Sequence, residues 1–154
     1  MKIHRKDNTL LIKTSEVSVK LNDSLQIADF EIPGPGEYDV QGVSAIVLAE
    51  KIRTAILGIE GLQFLYIDRP YKVDKDDENF ANIDVLAVRV ADKDELKLAE
   101  QAAKDLEPSG LILFGSLPVA EFQKELNLTT ETIDKLNITA NNLPEEGTDI
   151  TILS

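Results

Sequence analysis

Few residues in this chain could carry out chemistry. A single histidine, His4, lies in the polar stretch Met1-Lys2-Ile3-His4-Arg5-Lys6-Asp7, and the 154 residues contain no cysteine. Without cysteine there is no thiolate nucleophile, no disulfide and no Cys-ligated zinc or iron–sulfur site. Ser-His-Asp catalysis would have to recruit His4, and no Gly-x-Ser-x-Gly elbow presents a serine to it. His4 therefore reads as a surface or hydrogen-bonded structural side chain. Ser116 stands two residues before Pro118, a pattern that predicts a helix N-cap rather than a nucleophile. Asp74-x-Asp76-x-Glu78 has the spacing of a calcium loop. However, Asn79 stands where an EF-hand turn needs glycine and Val85 where it needs its last glutamate, so the segment reads as a solvated acidic loop. Gly34-Pro35-Gly36 is no phosphate cradle, because Pro35 has no amide to donate and no Gly-Lys-Ser/Thr follows. Its glycines and prolines supply turn geometry; Glu37 and Tyr38 follow, and Tyr38 is expected to pack. Glu60 and Glu107 read as turn carboxylates, and carboxylates alone do not define a glycosidase pair without their separation.

The elements that position these residues divide the chain in two. Leu10 and Ile12, then Val17, Val19 and Leu21, alternate with polar residues at the period of half-buried strands. A turn at residues 21–24 follows, then Phe30 and Ile32, then the break at Pro33-Gly34-Pro35-Gly36. Strands are predicted at 38–40, 43–48, 53–59 and 62–67, with turns at Gln41-Gly42 and Glu60-Gly61. The second half alternates strand and helix. Residues 83–90 and 111–114 read as strands buried on both faces. Residues 92–106 carry Leu96, Leu98, Ala99, Ala102, Ala103 and Leu106 as an apolar helical stripe with Asp92 as N-cap. Residues 118–126 form a second helix, with Pro118 suited to its first turn. Residues 131–136 and 149–153 are expected to be terminal strands. Residues 74–79 are the one strongly polar loop and the best candidate for mobility.

Composition narrows the function classes. The chain is long enough for one domain, residues 1–154, with a real core. Twenty-eight acidic against 16 basic residues give a formal net charge of -12. That charge disfavours phosphate backbones and anionic lipid as partners and favours solubility. Five Phe, three Tyr and no Trp supply no stacking platform for single-stranded nucleic acid. The N-terminus lacks the apolar region of a signal peptide, and no apolar run approaches the roughly 18 residues of a membrane helix. The expectation is a soluble, cytoplasmic protein with neither nucleic-acid nor membrane partners.

Several segments, in order, resemble one branch of the metallo-β-lactamase-fold proteins, that of the ascorbate-6-phosphate-lactonase-like zinc-dependent hydrolases. Ile32-Pro33-Gly34-Pro35-Gly36-Glu37-Tyr38-Asp39-Val40-Gln41-Gly42-Val43 is similar to a Gly-Pro-Gly-Glu-Tyr-Glu-Val stretch followed by Gly-Val. Ile59-Glu60-Gly61-Leu62 resembles the hairpin before the family's metal-binding Gly-Asp. Asp84-Val85-Leu86 resembles a buried strand of the family, and Leu106-Glu107-Pro108 the end of the next helix. Ile138-Thr139 and Leu143-Pro144-Glu145-Glu146-Gly147-Thr148 look like its C-terminal tail. The likeness runs from Phe30 to Ser154 and extends more weakly over residues 1–24. It implies an αββα sandwich, of α/β or α+β class, here trimmed and opening with an N-terminal β-meander.

The departures from the family bear on activity. The family holds zinc or another divalent metal with a His-x-His-x-Asp-His loop, a further His, a bridging Asp and a last His, which together lower the pKa of bound water. The segment that would carry the first loop is missing. Tyr66-Ile67-Asp68-Arg69 stands in place of His-Leu-Gly-Asp, and Leu113-Phe114-Gly115 in place of Pro-Met-His. Asp68 alone stands near a ligand position, and one carboxylate does not retain a transition metal against water. The chain is therefore expected to be a pseudoenzyme with no catalytic, cofactor-binding or metal-binding residues and no cofactor. Its expected role is that of a structural or protein-interaction module. Loss of the loop would leave one sheet with an uncovered apolar face, which predicts a homodimer or other homo-oligomer with a mostly aliphatic interface. Two further readings are an unidentified protein partner that completes the fold, and a metal-free residual hydrolase or small-ligand binder that uses the old cleft through Asp68, Arg69 and Tyr71.

Overall fold

The computed structural model of the chain describes residues 1–49, 54–127 and 132–154. Period-two alternation near the N-terminus produces a meander. Strands β1 (Lys2–Lys6), β2 (Thr9–Lys13), β3 (Ser18–Leu21), β4 (Leu25–Ile27) and β5 (Phe30–Glu31) pair in order, each antiparallel to the next. β12 (Lys135–Asn137) joins the free edge of β1 and completes a six-stranded sheet. The second sheet has seven strands in the order β13 (Asp149–Ile152), β11 (Gly110–Phe114), β10 (Val85–Arg89), β9 (Leu62–Ile67), β8 (Thr54–Ile59), β7 (Val43–Ala49) and β6 (Gly36–Val40). Its β6–β9 part is antiparallel, whereas β9, β10, β11 and β13 run parallel to one another.

The two sheets face each other across one core. Ile3, Leu10, Ile12, Val19, Leu21 and Ile27 of the smaller sheet meet Leu57, Phe64, Val85, Ala87, Ile112 and Phe114 of the larger. The far face of the larger sheet carries Leu65, Ile67, Leu86, Val88, Leu111 and Leu113. Helices α1 (Lys93–Leu106) and α2 (Val119–Leu126) cover it. β10 and β11 are thus buried on both faces, which is why they read as continuous apolar runs. Leu96, Ala99 and Ala102 of the α1 stripe are buried, and Ala103 and Leu106 are half-buried against the same core. At the start of α1, Asp92 Oδ1 accepts from the Glu95 amide at 2.8 Å and Glu95 Oε2 accepts from the Ala91 amide at 2.7 Å. The first bond satisfies a donor that the first turn would leave orphaned, and the second ties the residue before the cap back to the helix.

The class is α+β, with three layers in the order sheet, sheet, helices. An αββα sandwich needs helices outside both sheets, and the two described helices lie outside the larger one only. The smaller sheet's outer face is open, but it is not the apolar face expected. Inward residues are mostly apolar and outward ones mostly polar, so the face presents lysines, His4, Ser18, Gln26 and, at its edge, Glu31, with Leu11 half-buried among them. Phe30, on the edge strand β5, is the exposed large hydrophobic residue among the described residues. The aliphatic interface expected from an uncovered sheet therefore has no such face to use there.

Smaller corrections concern element ends. Ser116 does not cap α2: Pro118 is the N-cap, without a side-chain bond. β4, three residues long, lies in a stretch where no strand is predicted. β12 begins at Lys135, and Ile133 contributes an isolated bridge to Leu153. Arg53 and Glu131, the predicted starts of two strands, lie outside the described residues. Within the acidic loop, Asp74 and Asp77 each accept from an amide two residues on, at 3.0 and 2.9 Å, and Glu78–Phe80 forms a 3₁₀ turn. No helix is long and apolar enough to cross a membrane among the described residues.

Candidate functional site

In open sheets of parallel strands, ligands bind beyond the carboxyl ends of the strands. Here β9, β10 and β11 end together at Ile67, Arg89 and Phe114. Side chains at positions 66, 68 and 89 project from this end toward the smaller sheet, on the same side as Ala87 and Phe114. The resulting polar cluster sits at the mouth of the inter-sheet core. Arg89 donates from Nε to Asp68 Oδ1 at 2.8 Å and from Nη2 to Asp68 Oδ2 at 2.9 Å, a bidentate pair. The Tyr66 hydroxyl donates to Asp68 Oδ1 at 2.8 Å. Asp68 is only 4% exposed.

The neighbours of Arg89 and Tyr66 fix their charge states. The Asp68 carboxylate holds the Arg89 guanidinium above its ordinary pKa, first through their hydrogen bonds. Burial, and then the charge and hydrogen bond of Asp68, push the Tyr66 phenol far above the usual tyrosine value. The hydroxyl is therefore a fixed donor. Three donors point at the two Asp68 oxygens, all within 2.9 Å. A carboxylate so engaged has little capacity left to bind a cation.

The carboxyl end of β11 is closed as well. Gly115 has φ +133°, and a Cβ added there would collide with the backbone of Val90. Its carbonyl oxygen accepts from Arg5 Nη1 at 2.9 Å, which ties β1 to the end of β11. No side chain can occupy position 115 without displacing β10's continuation. Among the described residues, no group of three or more His, Asp or Glu side chains converges to hold a metal ion.

Beside this cluster opens a cleft of about 510 Å³. The β3–β4 turn forms one wall through Asn22 and Ser24, residues Pro33, Gly34 and Pro35 form another, and Thr54, Ala55 and Tyr66 lie against the larger sheet. The Tyr38 hydroxyl donates to the Gly34 carbonyl at 2.7 Å, which holds the Gly-Pro-Gly wall in place. Tyr38 therefore packs and positions, as expected of it, and Glu37 is exposed. The polar groups expected in the old cleft do not line this one. Asp68 sits behind Tyr66. Tyr71 sits behind Thr54, with 3.2 Å between their hydroxyl oxygens, and burial raises its pKa. The Arg69 side chain is 73% exposed, 4.0 Å from Glu95.

Of the remaining candidates, His4 faces outward from β1, and burial followed by Lys13 and Lys135 lowers its pKa. Glu60 is in the β8–β9 turn with φ 51°, and Glu107 ends α1 in the left-handed region. Both are turn carboxylates. Arg89 escaped sequence reasoning. Its signal was a charged residue closing the apolar run Val85-Leu86-Ala87-Val88, where a partner is obligatory. Comparison of the chain with protein-family models, with curated proteins and with solved structures found no match.

Proposed function

We propose that this chain is a non-catalytic interaction module built on a trimmed metallo-β-lactamase-like sandwich. One observation carries the reading: the carboxylate nearest a metal-ligand position, Asp68, is neutralised by the protein's own cation, Arg89, and capped by Tyr66. In a metal-dependent relative that carboxylate would face an ion. Here the guanidinium supplies the compensating charge, and with the Tyr66 hydroxyl it occupies three of the carboxylate's roughly four acceptor positions. The closed backbone at Gly115 supports the same reading, since a histidine there could not be accommodated.

The test is elemental analysis of protein purified without chelator, together with lactone, phosphodiester and β-lactam hydrolysis with and without added zinc or manganese. Zinc far below one equivalent and no enzyme-dependent turnover are expected. Stoichiometric metal held by two or more side chains, or turnover lost in Asp68→Asn, would overturn it. Self-association belongs to the same reading, but through strand edges rather than a bare sheet face. Among the described residues β5, β6 and β12 end their sheets, whereas the edge of β13 is met by Ile133, and open edges invite pairing. Sedimentation across a salt series measures it, and a 17.0 kDa species throughout removes it.

A second reading has its own observation. The cleft of about 510 Å³ falls within the roughly 300–1,000 Å³ of small-ligand pockets. A ligand-observed NMR fragment screen tests it, with competition lost in a variant that fills the cleft, Ala55→Leu.

A further inference from the structure

The outward face of the smaller sheet carries Lys2, Lys6, Lys13, Lys20 and Lys135, five of the chain's sixteen basic residues. Register places them together. Lys2 lies directly opposite Lys13, Lys135 opposite His4, and Lys20 opposite Leu11, the residue on the other side of His4. Four strands at about 4.8 Å spacing put the whole group within about 15 Å. Like charges directly opposite destabilise a sheet. Yet none of the five is ion-paired among the described residues, in a chain with 28 carboxylate side chains. A shallow concavity of about 430 Å³ lies on this face, with Leu11, Lys13, Lys20 and Gln26 in its lining and Glu16 and Asp29 also bordering it. Burial first, and then the charges of Lys13 and Lys135, lower the pKa of His4 on this face.

We propose that this face docks an acidic polypeptide segment of a partner protein, with the lysines meeting its carboxylates and Leu11 offering a small apolar contact. Charge complementarity sets the occupant, and the rest of the molecule sets its size. The formal charge of the whole chain is -12, so a long polyanion reaching past the face meets a repulsive surface within about one Debye length, ~8 Å at physiological salt. A nucleic-acid duplex or a bilayer surface does reach past it, whereas a peptide segment does not. The face also has no arginine for bidentate phosphate contacts and no Phe, Tyr or Trp for base stacking. A second copy of this chain fits less well, because the carboxylates of its helix layer are interleaved with lysines, Lys93 pairing with both Glu121 and Glu125. The proposal gives the interaction module its partner surface and in that sense rests on the reading above. The two fail separately, since metal content and turnover are measured without peptide and docking without metal.

The test is titration of ¹⁵N-labelled full chain with a ten-residue Asp/Glu peptide. Saturable amide shifts confined to β1–β3 and β12 are expected. Lys13→Glu with Lys20→Glu should weaken binding at least tenfold, and Lys93→Glu with Lys104→Glu, on the helix layer, should leave it unchanged. If the double reversal disturbs the circular dichroism spectrum, Lys13→Gln with Lys20→Gln serves instead, with a weakening of about threefold or more expected. Raising salt from about 50 to 300 mM should weaken binding of the unaltered protein. The proposal is overturned by absent or non-saturable shifts, by shifts centred on the helices, or by tighter binding of a 20-base-pair duplex or of phosphatidylserine vesicles. Self-association that consumes the lysine face without peptide overturns it too.

Discussion

Replacing Arg89 with methionine keeps most of the side chain's length and removes its charge. The consequence can be worked from the geometry. Asp68 loses two charge-assisted hydrogen bonds, of 2.8 and 2.9 Å, and keeps only the Tyr66 hydroxyl. Its side chain is 5% exposed, so water cannot replace what is lost. Leaving a buried carboxylate without its cation costs about 3–5 kcal/mol. Asp68→Asn should cost less, about 1–3 kcal/mol, because Arg89 is 28% exposed and can turn toward solvent. The decisive variant carries both changes. The amide oxygen then present at position 68 still accepts from Tyr66 and brings no charge to neutralise, while a thioether at position 89 suits an apolar strand. The double variant should therefore be more stable than Arg89→Met alone, by about 2 kcal/mol. The chain has no tryptophan, so urea unfolding is followed by far-ultraviolet circular dichroism. A cost below about 1 kcal/mol for Arg89→Met, or a double variant no more stable than that single one, would show that the pair is not a buried charge unit. The account of the closed site would then fail.

Four further outcomes follow from the same structure. Tyr66 has a folded-state pKa raised above the ordinary 10.0, so its contribution is complete below pH 10 and declines as pH rises above it; alkaline unfolding should be less steep in Tyr66→Phe. His4 has a folded-state pKa lowered from 6.5, so its contribution is complete above pH 6.5 and fades as pH falls; Lys13→Gln or Lys135→Gln should raise the pKa read from its ring proton shifts. Leu96→Ala, at a fully buried position of α1, should cost about 2–5 kcal/mol in urea unfolding. Gly115→Ala sets a Cβ against the Val90 backbone at φ +133° and should cost at least about 2 kcal/mol, and a near-neutral result would mean the end of β11 is not closed as described.

The layered fold is legible where a single periodicity rules. Val19 and Leu21 alternate with Ser18 and Lys20 because one face meets a core and the other meets water, and the alternation carries the register with it. The α1 stripe and its Asp92 cap are equally local. Arg89 is hidden because its meaning depends on a neighbouring strand 21 residues away. Parallel pairing through a crossover leaves no trace in local spacing, and only the rule that a buried charge needs a partner hints at it. The outer face of the smaller sheet departs from expectation for a related reason. A missing helix layer implies exposed apolar surface only if the outward positions are apolar, and those of β1–β3 are largely lysine, serine and histidine.

Both charged features are made by the same alternation on neighbouring positions, with opposite uses. On β1, His4 points out among lysines, while Arg5 points in and reaches the Gly115 carbonyl. Inward charges are spent inside the molecule: Arg89 on Asp68, Arg5 on a strand end. Outward lysines of this sheet make no ion pair among the described residues, although Glu16 and Asp29 border the same concavity and carboxylates are in large excess over the whole chain. The contrast between these unpaired outward lysines and the buried Asp68–Arg89 pair is what the proposed docking on the open sheet rests on.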